Sequence, residues 1–249
     1  MRGAPREPAA APCGPPGHRA YVVGDVHGRL DLLEKLLGRI HSELQRHPAA
    51  KTTLIFVGDL IDRGPSSAQV LERLRTYKRS AVETVFLLGN HEEVLLRILG
   101  GDAALIGKWR WFGGAECLES YGVDPEVLQN ASHNEALARV RRAIPKEHVR
   151  FIESFSDSCQ FGDYLCVHAG IRPGIAIDEQ TQADMRWIRE PFLLDERDHG
   201  FVIVHGHTIT SEVEQLPNRV GIDTGAYRTG VLTALAIEGT KRWLIDTRA

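Results

Sequence analysis

Cysteine is scarce in this chain, which has only four among its 249 residues: Cys13, Cys117, Cys159 and Cys166. No two of them form the C-x-x-C pair of a structural zinc site, and their spacing gives no disulfide framework. The absence of both patterns excludes a small disulfide-rich scaffold and favours reduced, partly buried thiols. We therefore predict a cytoplasmic location.

Long apolar runs and an excess of basic charge are also missing. No apolar run reaches the roughly 18–20 residues that a membrane helix needs, so we expect no membrane association. Residues 1–18 contain proline and glycine without a continuous apolar stretch, so they differ from a signal peptide and predict a flexible tail. The net charge is −3 without a dominant basic patch, which argues against a nucleic-acid partner.

Apolar residues make up 43% of the chain, enough for a sizeable core, and the first half alternates between strand and helix patterns. The predicted strands cover 19–25, 52–59 and 84–90, and the predicted helices cover 29–46, 66–78 and a stretch from 92 to 99. This alternation predicts a mainly parallel sheet whose strands are joined by right-handed crossovers.

The rest of the chain divides into a helical part and a strand-rich part. Residues 100–155 predict a helical insertion, and the runs after it predict strands separated by turns such as Phe161-Gly162-Asp163. Two sheets packed face to face, with helices outside, would bury all these runs. We therefore predict an α/β fold, a two-sheet β-sandwich flanked by helices, in a single domain over residues 19–249 that includes the insertion.

Polar side chains follow all three predicted strands of the first half. Asp25 and His27 come after the first strand in "VVGDVHG", and Asp59 after the second in "FVGDLIDRG". Asn90 and His91 follow the third in "LLGNHEE". Ligands of open parallel sheets bind outside the carboxyl ends of the strands, so these side chains are expected to converge on one crevice.

The second half repeats this arrangement with histidines. A strand ends at His168 in "YLCVHAG", and another ends at His205 and His207 in "FVIVHGHT". A single strand-end aspartate is more often a turn or helix cap, and a single histidine is more often an ordinary hydrogen-bonded residue. Five strand ends of one chemical type instead favour one shared site. Carboxylate, imidazole and amide oxygen suit a divalent cation of borderline hardness.

In this order, "GDVHG", "GDLIDRG", "GNHE", "HAG" and "HGHT" resemble the phosphoprotein-phosphatase branch of the calcineurin-like metallophosphoesterases, especially its bacterial and phage lambda-type members. The similarity runs from about residue 20 to the C-terminus, except over 100–155. The resemblance implies the fold of that superfamily and two divalent cations, with Mn²⁺ expected and Fe or Zn²⁺ as alternatives.

The resemblance also assigns metal ligands by their position in the motifs. It implies Asp25 and His27 for the first cation, Asp59 as a bridge between both, and Asn90, His168 and His207 for the second. Where the wider superfamily often has another histidine, this chain has Ile209, so the first cation would have three protein ligands. His205 is then expected beside the ligands rather than among them.

The reaction implied by such a centre is in-line attack on phosphorus by a water that two cations share and activate. By resemblance, His91 would be the general acid that protonates the leaving oxygen, and Asp62 would hold its ring. No cysteine or serine nucleophile is required.

Two arginines are expected to bind the phosphate. Arg63 and Arg189 would grip its oxygens, for which a guanidinium is better shaped than an ammonium, with Asn90 close to them. Arg186 is a rival to Arg189 in the same segment, "MRWIREPF", although a surface ion pair is the ordinary role for such an arginine. Further residues expected to line the site are Asp223 and Tyr227.

The resemblance implies a metal-dependent phosphomonoester hydrolase, most simply a serine/threonine protein phosphatase with a phosphoprotein or phosphopeptide as substrate. A symmetrical diadenosine tetraphosphatase remains an alternative, as does a phosphatase that accepts tyrosine or small phosphoesters. Those tetraphosphatases typically lack the aspartate at Asp62 and have "GNHD", whereas this chain has "GNHE". An alkoxide also needs a proton to leave, while a nucleotide phosphate leaves more easily, so Asp62 beside His91 favours an ester.

A non-catalytic binding module on the same fold is the remaining alternative. Such a module would have lost ligands, and here all six ligand positions and His91 are filled. We therefore predict an enzyme, and the sequence carries no prediction of its oligomeric state.

Overall fold

The structure, a computed structural model, describes residues 11–49 and 51–248. Its strands are β1 (His18–Val23), β2 (Lys51–Phe56), β3 (Val82–Phe86), β4 (Ser158–Phe161), β5 (Tyr164–Val167), β6 (Val202–His205), β7 (Glu214–Gln215), β8 (Arg219–Gly221), β9 (Thr233–Glu238) and β10 (Lys241–Asp246). Its α-helices are α1 (Leu30–Arg46), α2 (Ser67–Arg75), α3 (Asn90–Gly100), α4 (Leu105–Trp109), α5 (Ala115–Ser120), α6 (His133–Ala143), α7 (Lys146–Glu153), α8 (Gln182–Trp187) and α9 (Ala226–Thr229).

The strands form two mixed sheets of five strands each within the described ranges. The first has the order β10-β9-β1-β2-β3, in which β1, β2 and β3 are parallel and β9 and β10 are antiparallel to their neighbours. The second has the order β4-β5-β6-β8-β7, with β5, β6 and β8 parallel. The α/β fold with two sheets flanked by helices is therefore confirmed.

Alternation along β1 explains how the first sheet is covered on both faces. Tyr21 and Val23 belong to the hydrophobic cluster that includes the helices, whereas Ala20 and Val22 belong to the cluster shared with the second sheet. Successive side chains of a strand point to opposite faces, so a strand buried on both sides is apolar at nearly every position. Val204 on β6 packs in the same inter-sheet cluster.

The helices of residues 105–153 continue the core of the first sheet. Helices α5 and α7 pack on α2, and α4, α6 and α7 pack on α3. Their buried side chains, such as Leu118, Val140 and Ile152, join the same hydrophobic cluster as β1 and β2. Between α4 and α5 the chain is kinked within Arg110–Gly114, where Gly113 has φ 112°.

The third predicted strand ends earlier than the sequence pattern suggests. We predict a strand to residue 90 and a helix from 92, but β3 ends at Phe86 and α3 already begins at Asn90. The physical reason is a cap, because the Glu92 side chain reaches back and accepts a hydrogen bond from the Gly89 N–H at 3.1 Å. Asn90 and His91 therefore project from the first turn of a helix.

Most of the predicted flexible tail, residues 1–10, lies outside the described residues. Its last part is held in place, since the Gly14 N–H donates to the Gly239 carbonyl at 2.9 Å and the Cys13 N–H donates to Asp163 Oδ2 at 2.8 Å. Among the residues that the structure describes, no helix is long and apolar enough to cross a membrane.

Candidate metal centre

Unusual backbone conformations mark the candidate site. Among the described residues other than glycine, positive φ angles between 46° and 71° occur at His27, Asp59, Asp62, Arg63, Ala81 and His207. All but Ala81 are residues that the sequence assigns to the site. Such conformations cost about 1–3 kcal/mol each and persist where the surrounding fold holds them, which is typical of functional sites.

The loop after β2 and the start of α3 approach each other so closely that one position requires glycine. A Cβ atom at Gly89 would overlap the carboxylate and the backbone of Asp59. The His91 N–H, from the first turn of α3, donates to Asp59 Oδ1 at 3.1 Å. The absence of a side chain at Gly89 thus lets the second and third motifs share one site.

Asp59 lies at the centre of two groups of potential metal ligands. Its Oδ2 atom is 3.6 Å from His27 Nε2 and 3.8 Å from His91 Nε2. Its Oδ1 atom is 3.5 Å from His168 Nε2. The groups His27–Asp59–His91 and Asp59–His168–His207 each offer three ligand atoms within 4.8 Å of one another. Asp59 is their common member, which is the position that a bridging ligand needs.

Asn90 lies in the second group with the two histidines of the second half. Its Oδ1 atom is 2.9 Å from His168 Nε2 and 2.8 Å from His207 Nδ1. These three side chains come from the start of α3, the end of β5 and the loop after β6. The structure thus brings together residues that are up to 117 positions apart in the chain.

The protonation of the rings tests whether this arrangement fits a cation. His27 Nδ1 lies 2.9 Å from the Ile61 carbonyl and His168 Nδ1 lies 2.8 Å from the Val57 carbonyl. A carbonyl only accepts, so both Nδ1 atoms carry the proton and donate. Burial lowers the pKa of His168, and it lowers that of His27 to about 3, so both rings are neutral. Their Nε2 lone pairs therefore point at Asp59.

Among the candidate metal ligands, two further acceptors have no hydrogen-bond partner in the described part of the chain. They are the buried atoms Asp25 Oδ1 and His207 Nε2. Burial and the neighbouring His168 ring lower the pKa of His207 to about 2, so this ring is neutral as well. Buried acceptors and carboxylates that converge without donors are what divalent cations complete. The residues present therefore fit the metal-binding function.

Asp25 is placed differently from the other carboxylate of the centre. Its Oδ2 atom accepts a hydrogen bond from the His207 N–H at 2.9 Å, and it does not belong to either three-residue group. Burial, with the neighbouring carboxyls of Asp223 and Asp59, raises the pKa of Asp25. Burial also raises the pKa of Asp223 to about 6. Three acidic side chains thus share one buried region, and a bound cation would relieve their mutual repulsion.

His91 forms a buried pair with Asp62. Its Nδ1 atom lies 2.7 Å from Asp62 Oδ2. Burial disfavours the imidazolium, but the carboxylates of Asp59 and Asp62 outweigh it and raise the pKa of His91 to about 9. The ring is therefore a cation at neutral pH, with Nδ1–H donating to Asp62 and Nε2–H facing the cleft. A proton held in this way is suited to a leaving oxygen.

Arg63 approaches the same ring from the other side. Its Nη2 atom lies 3.3 Å from His91 Nε2, while Nη1 donates to the Tyr227 hydroxyl at 2.6 Å. When His91 is protonated, Arg63 and His91 present two donors to each other, and an acceptor is needed between them. An oxygen of a bound phosphate is such an acceptor. Tyr227 supports the guanidinium, whose carbon lies 4.7 Å from the centre of the phenol ring.

Arg189 and its rival Arg186 have different surroundings. Arg189 is exposed and lines the cleft above the candidate metal ligands. The one hydrogen bond that the described residues give its side chain is weak, with Nη2 at 3.4 Å from the His207 carbonyl oxygen. Arg186 donates to Asp157 at 2.5 and 2.9 Å and to Glu93 at 3.2 Å. Because Arg186 is engaged in ion pairs, Arg189 is the better placed of the two for a phosphate.

His205 lies behind the centre, as expected from the sequence. It is buried, and its ring meets Phe192 edge-on with 5.1 Å between the ring centres. Its Nδ1 atom is 3.1 Å from the Gly206 carbonyl, and it belongs to neither group of potential ligands.

The sequence interpretation missed Glu92, although the residue belongs to the quoted motif "GNHE". Its buried carboxylate accepts hydrogen bonds from the N–H groups of Asp59, Leu60, Ile61 and Gly89, at 2.8 to 3.2 Å. These bonds hold the loop after β2 in the conformation that presents Asp59. The signal available in the sequence was a glutamate in the third position of a helix after a glycine, which is where a capping side chain reaches back.

Trp109 is a second site residue that the sequence interpretation missed. No spacing in the sequence indicates its role. Its indole N–H donates to Asp62 Oδ2 at 2.9 Å, so that oxygen receives both Trp109 and His91. Trp109 ends α4 in the insertion, 47 residues after Asp62. The insertion therefore supplies a group that orients the carboxylate of the buried pair.

A cleft of about 290 Å³ opens above these residues. Its floor includes His27, Asp59 and His91, and its walls include side chains of the insertion and of the segment after α8. The cleft thus brings together neutral imidazole rings, one imidazolium and two arginines. These groups can bind a phosphoryl group and deliver a proton to its leaving oxygen.

Comparison with known proteins agrees with this chemistry. A profile of the calcineurin-like phosphoesterase family matches residues 18–231. The asymmetrical bis(5'-nucleosyl)-tetraphosphatase PrpE of Anoxybacillus flavithermus is 29% identical over 236 residues, which cover 86% of this chain and 88% of that protein. The symmetrical bis(5'-nucleosyl)-tetraphosphatase of Methylococcus capsulatus is 34% identical over 155 residues, covering 61% of this chain and 43% of that protein.

A solved structure provisionally named as a diadenosine tetraphosphatase has a TM-score of 0.66 at 20% identity, covering 96% of this chain and 99% of that chain. At this identity the likeness concerns the fold. The profile match confirms the resemblance to the metallophosphoesterases that the motifs indicate.

The expectation of a phosphoprotein or phosphopeptide substrate is wrong. The named relatives are dinucleoside tetraphosphatases, which act on small nucleotides. The physical reason for the error is that Asp62 and His91 report only how a proton reaches the leaving oxygen. The walls of the cleft decide which leaving group can enter. These walls include side chains of the insertion, where no motif was recognised, and Trp187, to which the sequence assigned no role.

Proposed function

Because the chain belongs to the calcineurin-like phosphoesterase family, we propose that it is a metal-dependent hydrolase of dinucleoside tetraphosphates. The observation that carries this proposal is the similarity to tetraphosphatases along 86% of the chain. The wider of the two named matches is to an asymmetrical enzyme, so we expect ATP and AMP, rather than two ADP, from diadenosine tetraphosphate. The cytoplasm, where such nucleotides occur, is the expected location.

The cations would be held by the residues assigned from the motifs: Asp25, His27, Asp59, Asn90, His168 and His207. When bound, two such cations supply an activated water and offset negative charge on the phosphoryl oxygens. Mn²⁺ is the expected metal, since a set of carboxylate, imidazole and amide ligands suits it, with Fe or Zn²⁺ as alternatives.

The protein groups around the phosphorus have separate tasks in this proposal. Arg63 and Arg189 bind phosphoryl oxygens and orient the anhydride. His91 holds a proton at Nε2, with Asp62 keeping the ring in place through Nδ1. As the water oxygen bonds to phosphorus, the bridging P–O bond breaks and the leaving phosphate oxygen takes the proton of His91. The proton that the water loses passes to solvent, from which His91 is protonated again.

The test is hydrolysis of diadenosine tetraphosphate by Mn²⁺-loaded protein in ¹⁸O-labelled water, with products separated by ion-exchange chromatography and weighed by mass spectrometry. We expect ATP and AMP, with the label in one product only. Protein with Asp59→Asn serves as the inactive control. The proposal fails if the wild-type protein cleaves p-nitrophenyl phosphate in an Asp59-dependent manner but leaves dinucleoside polyphosphates intact.

A further inference from the structure

Two large aromatic side chains lie exposed in the cleft above the metal centre. Phe112 is 54% exposed and Trp187 is 41% exposed, and both line the same cleft as His91. Aromatic rings normally contribute their area to a core, so exposed rings in a cleft that holds a reaction centre indicate contact with a ligand. Neither ring was assigned a role by the motifs.

The position of Phe112 is tied to the phosphate-binding arginine. Phe112 lies in the kinked segment Arg110–Gly114 between α4 and α5. The next residue, Gly113, accepts a hydrogen bond from the Arg63 N–H at 2.9 Å. A Cβ atom at Gly113 would overlap Arg63, so this close approach requires glycine. The backbone that carries the Phe112 ring is therefore held against the backbone of the arginine that faces the phosphate.

Trp187 is tied to the helix that carries Asn90 and His91. Its indole N–H donates to Glu93 Oε2 at 3.2 Å, and Glu93 lies in the first turn of α3. Arg186 donates to the same carboxylate oxygen at 3.2 Å. The Trp187 ring is thus oriented by a polar contact while much of its surface stays exposed. Arg189, two residues further on, lines the same cleft.

Cations accompany the aromatic rings on the upper walls of the cleft. Lys108 Nζ lies 5.7 Å from the centre of the Phe112 ring, and Arg97 and Arg189 also line the cleft. The acidic lining residues, Asp59 and Asp223, are buried at the floor with the metal centre. A ligand that matches this distribution has flat ring systems and several negative charges. A nucleotide has both a flat ring system and negative charges, whereas inorganic phosphate has no ring that could stack on the aromatic side chains.

We propose that Phe112 and Trp187 are the nucleobase-binding residues of this cleft, and that Lys108 binds a phosphate of the nucleotide whose base stacks on Phe112. The two rings stand on separate elements, the turn after α4 and the end of α8, so each can receive one base of a dinucleoside polyphosphate. This inference rests on the proposed function for its substrate class. It adds the residues that select a nucleotide from among phosphate compounds.

The proposal is tested by Phe112→Leu and Trp187→Leu, which keep an apolar side chain but remove the ring. Stacking of a base on an aromatic side chain is worth about 1–3 kcal/mol. We therefore expect each variant to raise the KM for diadenosine tetraphosphate about 10-fold. Inorganic tripolyphosphate presents an anhydride without a base, so the ratio of its kcat/KM to that for the dinucleotide should rise by a similar factor. Phe112→Trp, which keeps a ring, should restore the KM.

Trp111→Leu is the matched control. Trp111 is adjacent to Phe112 in the chain and 90% exposed, but it does not line the cleft. This variant should leave the KM for diadenosine tetraphosphate unchanged. An equal rise in KM in Trp111→Leu and Phe112→Leu would overturn the proposal, because it would show that any loss of an aromatic residue in this turn disturbs the site.

Equilibrium binding separates this inference from the proposed function. ADP and pyrophosphate are titrated into the Mn²⁺-loaded protein by calorimetry. We expect Phe112→Leu and Lys108→Ala to weaken ADP binding about 10-fold or more while pyrophosphate binding falls only in Lys108→Ala. If the wild-type protein does not cleave the dinucleotide but shows this pattern, the proposed function fails and the nucleobase assignment stands. The opposite outcome is also informative: the wild-type protein cleaves the dinucleotide, and Phe112→Leu and Trp187→Leu bind ADP and react as the wild type does. In that case the nucleobase assignment fails and the proposed function stands.

Discussion

The carboxylate of Asp62 lies 2.7 Å from Nδ1 of His91, in a place where neither residue is more than 5% exposed. The two residues are 29 positions apart, one in the loop after β2 and the other in the first turn of α3, and the pairing of β2 with β3 brings them together. The carboxylates of Asp59 and Asp62 raise the pKa of His91 to about 9, so that the ring faces the cleft as a cation. The first prediction concerns the proton that this cation carries.

His91→Asn should lower kcat more strongly for phenyl phosphate than for p-nitrophenyl phosphate. Nitrophenolate leaves without a proton, whereas phenolate is a poorer leaving group and profits from a general acid, which contributes roughly 100-fold or more. Asp62→Asn should show the same preference in a weaker form. Steady-state kinetics of the Mn²⁺-loaded proteins check both variants. Equal losses on the two esters would remove the acid role from His91.

Asp59→Asn should reduce the number of Mn²⁺ ions bound from two to at most one and remove activity with them. The reason is that Asp59 is shared by both groups of ligands, and an amide supplies only one oxygen and no charge. Calorimetric titration of Mn²⁺ into the metal-free protein measures the stoichiometry. Asp178→Asn, at an exposed position outside the site, is the control and should bind two ions. Two ions in Asp59→Asn would contradict the bridging position.

Glu92→Gln should lower the free energy of unfolding by about 2–6 kcal/mol. Four backbone N–H groups donate to the Glu92 carboxylate, and an amide would turn its NH₂ group towards two of them, each unpaired donor costing about 1–3 kcal/mol. Urea denaturation measures the loss. Glu93→Gln is the neighbouring control, because Glu93 is partly exposed and bonds side chains rather than backbone. A loss no larger in Glu92→Gln than in Glu93→Gln would show that the backbone bonds contribute little.

Asp184→Asn should destabilise the protein more at pH 7 than in acid below about pH 4. A hydrogen bond from Arg172 lowers the pKa of Asp184 in the folded state, so the folded protein binds its proton less readily than the unfolded chain. The stabilisation is therefore complete above the unfolded pKa of about 4 and is lost as the pH falls through the lowered value. Urea midpoints of wild type and variant should converge in acid. A difference in midpoint that does not decrease as the pH falls below about 4 would assign the effect to packing of α8 instead of to charge.

The sequence carried more of the reaction centre than of the surrounding cleft. Polar residues after five apolar runs predicted one shared crevice, because strand ends on one edge of a sheet converge. The resemblance to the metallophosphoesterases then implied six metal ligands and the pair of Asp62 and His91. The sequence did not show how the backbone there is held. The four bonds to Glu92 depend on the loop after β2 meeting the start of α3, which no local pattern encodes.

The start of α3 is a second feature that the local sequence does not determine. Periodicity predicted a strand up to Asn90, because the residues before it are apolar, but Glu92 and Gly89 start the helix two residues earlier than predicted. The choice between Arg186 and Arg189 likewise depended on Asp157 and Glu93, which lie far away in the sequence. Local sequence describes which groups are present, and their partners come from other elements.

By itself, the sequence determined the fold class, the two-sheet arrangement and the chemical type of the centre, since these follow from strand periodicity and from the residues at strand ends. Only the tertiary structure decided what surrounds the phosphate. It placed Trp109 on Asp62 and set Phe112 and Trp187 on the walls of one cleft. Trp109 and Phe112 lie in the insertion, which has no recognisable motif and packs on α2 and α3, whereas Trp187 in α8 is oriented by Glu93 of α3. Substrate choice is a property of those walls, which is why "GDLIDRG" and "GNHE" alone pointed to the wrong substrate.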